Sequence, residues 1–426
     1  MRTTLRIALT SAWFALALMS SGPAQAQDEQ QAERETRKTP AMRQNVYAEL
    51  SEAQKAADAN DFAGAIRILD ELRDRDRLNS YELAQLWNFY GFIHYSNDDL
   101  ARSIEAYENM LAQPDLAEAM QTDTLYTLAQ LSFTTDQYAK AVDYLERWFA
   151  ASNDPGPEPY ILLGQAYYQM ERFEDAIAPV ETAIRIAGEQ GKPVQETWYL
   201  LLRAFYFELD NFPKVVAVLE ALVRHHPKKE YWVQLAAMYG ETGQEQKQLV
   251  AYEIAHVQGF LTEGDELVLL AQLYLQQDVP FKAASVLDQG MKSATVEKTA
   301  ANYRLLSQAW TLAQEDEKAI PALMQAARLS DDGELDARLA QTYMNLDQWD
   351  KAAEAARAAL EKGVEGEAGV QLMLGMSLFN LERFEQAKST FRLAQNDSRS
   401  GTTARQWIEH IDQEQQRLEQ LERAAP

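Results

Sequence analysis

The chain has 426 residues, 46% of them hydrophobic and 25% charged, which is enough apolar material to bury a large core. Forty basic and 65 acidic side chains give a formal charge of −25, a balance that repels nucleic acid and anionic headgroups and favours basic partners. The absence of cysteine excludes disulfides, thiolate zinc sites, cysteine nucleophiles and lipid attachment at a cysteine.

The first residues address the compartment. Arg2 and Arg6 precede an apolar run from Ile7 to Met19, interrupted by Thr10 and Ser11. Ser20 to Pro23 then breaks the helix before Ala24-Gln25-Ala26, an A-x-A cleavage pattern. Residues 1–26 are therefore expected to be a secretory signal removed after Ala26, the alternative being retention as an N-terminal anchor. The run falls short of the roughly 20 apolar residues that a membrane span needs. Removal takes two arginines and no acid from −25, leaving −27. The expected location is the periplasm, with residues 27–44 as a polar, flexible leader.

From Asn45 to about Gln395 the chain is self-similar. Leu163-Gly164 precedes Glu171-Arg172-Phe173-Glu174 and Ala176; Leu374-Gly375 precedes Glu382-Arg383-Phe384-Glu385 and Ala387 at the same offsets. Alignment on the small residue gives Ala53, Gly91, Ala129, Gly164, Arg203, Ala236, Ala271, Ser307, Ala340 and Gly375, spaced by 33 to 39 residues. A second small residue follows 12 positions later, at Ala65, Ser103, Ala141, Ala176, Ala283, Ala319, Ala352 and Ala387. Three positions after the first lies a large one, at Tyr167, Tyr206, Tyr239, Tyr274, Trp310 and Tyr343. Small residues at both sites let two helix axes approach, and the large residue fills the space between neighbouring hairpins. Apolar residues elsewhere keep the 3, 4 and 7 spacing of amphipathic helices, and turn signals such as His226-Pro227 and Asp331-Asp332-Gly333 divide the units.

This pattern resembles the tetratricopeptide-repeat family, whose unit is about 34 residues. The resemblance covers about 350 residues. It implies an all-α, right-handed superhelical solenoid of about ten helix hairpins. Hairpins one to five occupy 45–228 and hairpins six to ten occupy 229–398. Residues 399–426 follow as a C-terminal capping helix, with Trp407, Ile408, Ile411, Leu418 and Leu421 on one side. Arg203 with Val215, and Gln248, depart from the small-residue rule, so looser packing is expected there and a hinge over 203–230.

Nothing in the chain points to catalysis. His94, His225, His226, His256 and His410 form no metal-ligand pattern, and the carboxylates lie among lysines and arginines as solvated helix faces do. There is no G-x-S-x-G, phosphate-binding loop or dinucleotide fingerprint. A non-enzymatic protein without metal or cofactor is expected. The family resemblance instead implies that helix A positions 2, 5, 9 and 12 of each hairpin line a concave groove. On that basis the partner-binding residues are Asn88, Phe92, Tyr95, Tyr126, Gln130, Phe133, Gln165, Tyr168 and Phe207, with Tyr47 at the array's start. Gln272, Arg304, Gln308 and Gln341 occupy those positions later, so aromatic groove residues belong to the N-terminal half.

A closer resemblance is carried by Lys38-Thr39-Pro40-Ala41-Met42-Arg43, Leu78-Asn79-Ser80-Tyr81-Glu82 and Asn88-Phe89-Tyr90-Gly91-Phe92. These segments are similar to Gram-negative periplasmic repeat proteins that accompany TonB and its ExbB–ExbD motor. The resemblance implies an accessory role in TonB-type energy transduction and a partner with a basic, proline-rich segment. A scaffold for envelope biogenesis (outer-membrane protein assembly, polysaccharide export or peptidoglycan synthesis) is the alternative reading.

Overall fold

Twenty-one helices and no strand make up the described residues, which are 42–424 apart from 76 and 115 in the computed structural model, with side chains as far as 420. The expected signal, most of the leader and the side chain of Leu421 lie outside the described residues. Twenty of the helices form ten successive hairpins. The first five are α1 (Gln44–Asp58) with α2 (Phe62–Arg75), α3 (Ser80–Ser96) with α4 (Leu100–Leu111), α5 (Glu118–Thr134) with α6 (Tyr138–Ala151), α7 (Pro157–Gln169) with α8 (Phe173–Glu189), and α9 (Glu196–Glu208) with α10 (Phe212–His225). The rest are α11 (Lys229–Glu241) with α12 (Glu245–Val257), α13 (Gly264–Gln276) with α14 (Pro280–Lys292), α15 (Ala300–Leu312) with α16 (Asp316–Arg328), α17 (Glu334–Asn345) with α18 (Trp349–Lys362), and α19 (Glu367–Asn380) with α20 (Phe384–Ala394). The last helix, α21, runs Gly401–Ala424. The chain divides into two compact units, Met1–Gln121 and Thr122–Pro426.

Every hairpin turns on the same backbone device. Seven residues after each first small site comes a left-handed residue: Asn60, Asp98, Asp136, Glu171, Asp210, Gly243, Asp278, Gln314, Asp347 and Glu382, with φ between 51° and 70°. Six of the ten are Asn or Asp, whose short polar side chains tolerate this region best after glycine. The small sites meet as the spacing requires. Ala53 and Ala65, Ala129 and Ala141, Ala271 and Ala283, and Ala340 and Ala352 are fully buried. In the second hairpin the Ser103 hydroxyl donates to the Gly91 carbonyl at 2.8 Å. The glycines are packed tightly: a Cβ at Gly164 or Gly375 would lie 2.5 Å from Val180 Cγ2 and 2.5 Å from the Phe391 ring respectively.

A second contact links one hairpin to the next. In the first unit the Tyr90 hydroxyl donates to Asp70 at 2.6 Å. In the second unit Tyr167 reaches Glu146 at 3.1 Å, and Tyr206 reaches Glu181 and Tyr239 reaches Glu220 at 2.6 Å each. Burial and the facing Glu253 raise the Tyr274 pKa. Lys214, Lys247, Lys282, Lys318 and Lys351 lie over the rings of Tyr206, Tyr239, Tyr274, Trp310 and Tyr343, 4.7 to 5.6 Å from their centroids. Phenol, acid and cation together form a clasp.

The clasp accounts for a difference from the hinge expected over 203–230. That segment lies inside the second unit, clasped on both sides by Tyr206 and Tyr239. Arg203 is half-buried and donates to Gln234 of α11, while Gln248 packs over Gly240, whose missing side chain makes its room. The boundary between compact units falls instead within α5, between Gln121 and Thr122.

Helix α21 closes the array. Its Trp407 stacks on Phe391 at 5.7 Å, and Ala404 and Ile411 are fully buried. At the other end Arg43 binds Glu82, which has no exposed surface: its Nε, Nη2 and backbone N–H all donate to that carboxylate, two of them at 2.9 Å from Oε1. The Asn79 N–H adds a capping-box bond at 3.0 Å. The start of α1 is thus tied to the start of α3 by a structural ion pair.

Candidate functional site

In the first unit, Asn88, Phe92 and Tyr95 sit on α3 at spacings of four and three, which places them on one face. Phe92 is 41% exposed and Tyr95 37%, and Tyr47 on α1 is 56% exposed, while Asn88 is half-buried. His94, beside them, stacks on Tyr90 at 6.2 Å with Nδ1 3.9 Å from Asp99, and burial lowers its pKa.

The second unit holds the remaining positions. Tyr126, Gln130 and Phe133 share one face of α5 by the same spacing, and all three are half-buried. The Tyr126 ring lies 5.3 Å from Trp148 of α6. Phe133 meets Tyr138 edge-on at 5.4 Å. Gln165 and Tyr168 lie on α7, half-buried, and Phe207 on α9 is 54% exposed. Burial raises the Tyr126 pKa, so its hydroxyl is a neutral donor and acceptor.

Tyr168 corrects an expectation. As a groove position it should not pack, yet its ring lies 5.3 Å from the fully buried Phe205 and 5.7 Å from Phe173. It bridges two hairpins and supports the core. Missed by the sequence reading are the rings that continue the Tyr126 cluster. Trp148 touches Phe149 at 5.2 Å, and Phe149 touches Tyr160 at 4.4 Å. The Trp148-Phe149 pair was the available signal, but helix B residues are not groove positions in the family pattern. Later in the unit, Gln272, Arg304, Gln308 and Gln341 are exposed and polar, as expected.

Such faces offer flat apolar contact and side-chain amides that can bond an extended backbone. The adjacent histidines diverge. His225 stacks on Tyr199 at 6.1 Å, whereas His226 Nε2 lies 3.1 Å from the Val194 carbonyl. Among the described residues no three His, Asp or Glu side chains cluster as a metal site, and no helix is long and apolar enough to cross a membrane.

Two stretches match known families. Residues 96–183 match the family described as anaphase-promoting complex, cyclosome, subunit 3, and residues 338–401 match the tetratricopeptide repeat. Among curated proteins the chain is similar to tetratricopeptide repeat protein 21B of Mus musculus, 22% identical over 276 residues, 59% of this chain. The chain spans about 20% of that relative's length. Among solved structures it is similar to the TPR2AB-domain:pHSP90 complex of yeast Sti1, with 16% identity, 61% of this chain and 99% of that chain covered, and a TM-score of 0.33. YrrB, described as having an unusual peptide-binding site, gives 16% identity, 44% and 96% coverage and a TM-score of 0.36. MamA gives 19%, 39%, 89% and 0.33 in the same order.

Proposed function

Starting from a chain that is an array of tetratricopeptide-type hairpins, we propose that this protein is a non-catalytic scaffold holding an extended segment of a protein partner against its helix A faces. The observation that carries the reading is the exposure of large aromatic side chains at helix A positions: Phe92 and Tyr95 in the first unit and Phe207 in the second. Exposed aromatic clusters mark interaction surfaces.

The finer reading is a periplasmic accessory of a TonB-type system, recognising a basic, proline-rich segment. Three supports come from the sequence: the signal-like residues 1–26, the resemblance over residues 38–110, and an acidic balance of −25. A polyproline segment is already ordered, so docking on aromatic faces costs it little conformational entropy. Its lysines are steered by the acidic surface, which affects association rate and salt dependence more than final affinity. Photo-crosslinking in cells, with a reactive amino acid in place of Tyr95 or Phe207 and mass spectrometry of the adducts, tests it. A proline-rich, basic envelope protein should be captured at both positions. Capture of outer-membrane assembly or polysaccharide-export proteins would move the scaffold to envelope biogenesis, and cytoplasmic adducts would end the periplasmic reading.

A further inference from the structure

The repeat supplies its own reference for unusual surface. On helix B, the positions 14, 18 and 21 residues after the first small site are polar, charged or small in nine hairpins, with Leu393 and Pro321 as the exceptions. They are Asp143, Arg147 and Ala150 in α6, and Ser285, Gln289 and Lys292 in α14. In α12 alone all three are aliphatic: Val250, Ile254 and Val257. Val250 is 53% exposed and Val257 78%. Their spacing of four and three makes one stripe of about two helical turns. The stripe borders a cavity of about 610 Å³ between α10, α11 and α12, walled by Val223, Trp232, Leu235 and Ile254.

The rim is basic. Arg224 and Lys247 line the cavity, and among the described residues neither has a carboxylate within ion-pair distance; Lys247 rests over the Tyr239 ring. Glu220 also lines the cavity, its carboxylate held by the Tyr239 hydroxyl at 2.6 Å, while Glu253 is paired with Lys282 at 2.5 Å, so the two cations outnumber the acid among the lining residues. The whole chain carries −25, but screening over about 8 Å at physiological salt leaves the local cations to decide short-range contacts.

We infer that the outer face of α12, with the cavity beside it, is a second docking site, for an amphipathic helix that carries aliphatic side chains at i, i+4 and i+7 flanked by acidic residues. The aliphatic side chains cover the stripe and fill the cavity, and the acids meet Arg224 and Lys247. This site is separate from the helix A faces and prefers the opposite charge, so the scaffold holds a basic extended segment and an acidic helix on different surfaces.

The probe is a synthetic helix of about four turns with leucine at those three positions, glutamate beside them and alanine elsewhere, labelled for fluorescence anisotropy on the full chain. A companion peptide has lysine for every glutamate. The glutamate peptide should bind the wild type about tenfold more tightly than its companion, and Val250→Ser with Val257→Ser should weaken it by about tenfold. Arg224→Gln with Lys247→Gln should bring the two peptides to similar affinity. Unfolding should be unchanged for the valine variants, since Val250 and Val257 are exposed. Absence of binding, equal affinity of both peptides for wild type, or binding untouched by the valine substitutions overturns the inference. Self-association of the wild type in sedimentation, abolished by the same valine substitutions, overturns it in favour of a second copy of this chain. Tyr95→Ala leaves this binding unchanged, whichever way the helix A reading falls.

Discussion

The Glu82 carboxylate, without exposed surface and held by Arg43 and Asn79, is the residue on which the first unit's acid sensitivity rests. Hydrogen bonds from Arg43 outweigh the cost of burial and lower its pKa from 4.5 to about 2. A lowered folded pKa contributes stability above the unfolded value, and that contribution fades as pH falls from about 4.5 towards 2. Glu82→Gln should therefore destabilise by about 3 kcal/mol at pH 7, and by about half of that or less at pH 3, measured by urea unfolding. An equal difference at both pH values would show that the ion pair is not responsible. Packing gives a second test: a Cβ at Gly375 would lie 2.5 Å from the buried Phe391 ring, so Gly375→Ala should cost about 1–3 kcal/mol in thermal unfolding. Backbone strain gives the opposite sign. Glu382 holds φ at 59°, and Glu382→Gly should stabilise by about 0.5–1 kcal/mol, because the turn lies outside both helices. The close-packing glycines were legible because Gly164 and Gly375 recur at one offset; the Arg43–Glu82 pair, 39 residues apart in sequence, has no periodic signature.

At the scale of helices, the clasp fixes the second, fourth, fifth and sixth hairpins on their predecessors. Burial and the facing carboxylate push the Tyr206, Tyr239 and Tyr274 phenols well above their ordinary pKa, so each stays a hydrogen-bond donor at neutral pH. The device lapses where Met324 occupies the acid's place, 3.4 Å from the Tyr343 hydroxyl, with Lys351 over the ring. Met324→Glu should restore it and raise stability by about 0.5–1 kcal/mol, read as a higher urea midpoint; an unchanged midpoint would argue that the clasp contributes nothing. The tyrosines stood out in the sequence, but their acids did not. The separation from acid to phenol varies from 19 residues (Glu220 to Tyr239) to 25 (Glu181 to Tyr206), following the connecting loop, but Asp70, Glu146, Glu181 and Glu220 each lie 17 residues after the first small site of their own hairpin, a periodic signal hidden among the many other helix B acids. Arg203 and Gln248 break the small-residue rule inside a clasped segment, which argues against the hinge expected over 203–230. Amide exchange across 203–225 should be no faster than in the fourth hairpin, and early opening there would restore the hinge.

For the whole chain, ten hairpins and a closing helix follow from periodic small residues, a left-handed turn residue at one offset and an apolar face on α21. The helix A faces were legible in direction but not in depth. Period 3.6 sets Tyr126 and Phe133 on one face of α5, yet Trp148, Tyr138 and, for Tyr168, Phe205 draw these rings half into the protein. Phe92, Tyr95 and Phe207 stay exposed and are the anchors proposed for a partner. The direct measurement is calorimetric titration of a proline- and lysine-rich TonB-type peptide onto wild type and the variants Tyr95→Ala and Phe207→Ala, with unfolding monitored alongside. The account predicts saturable binding, weakened by about 1–2 kcal/mol in each variant that contributes an anchor while folding is unchanged. Equal affinity for wild type and both variants would remove the partner from these faces.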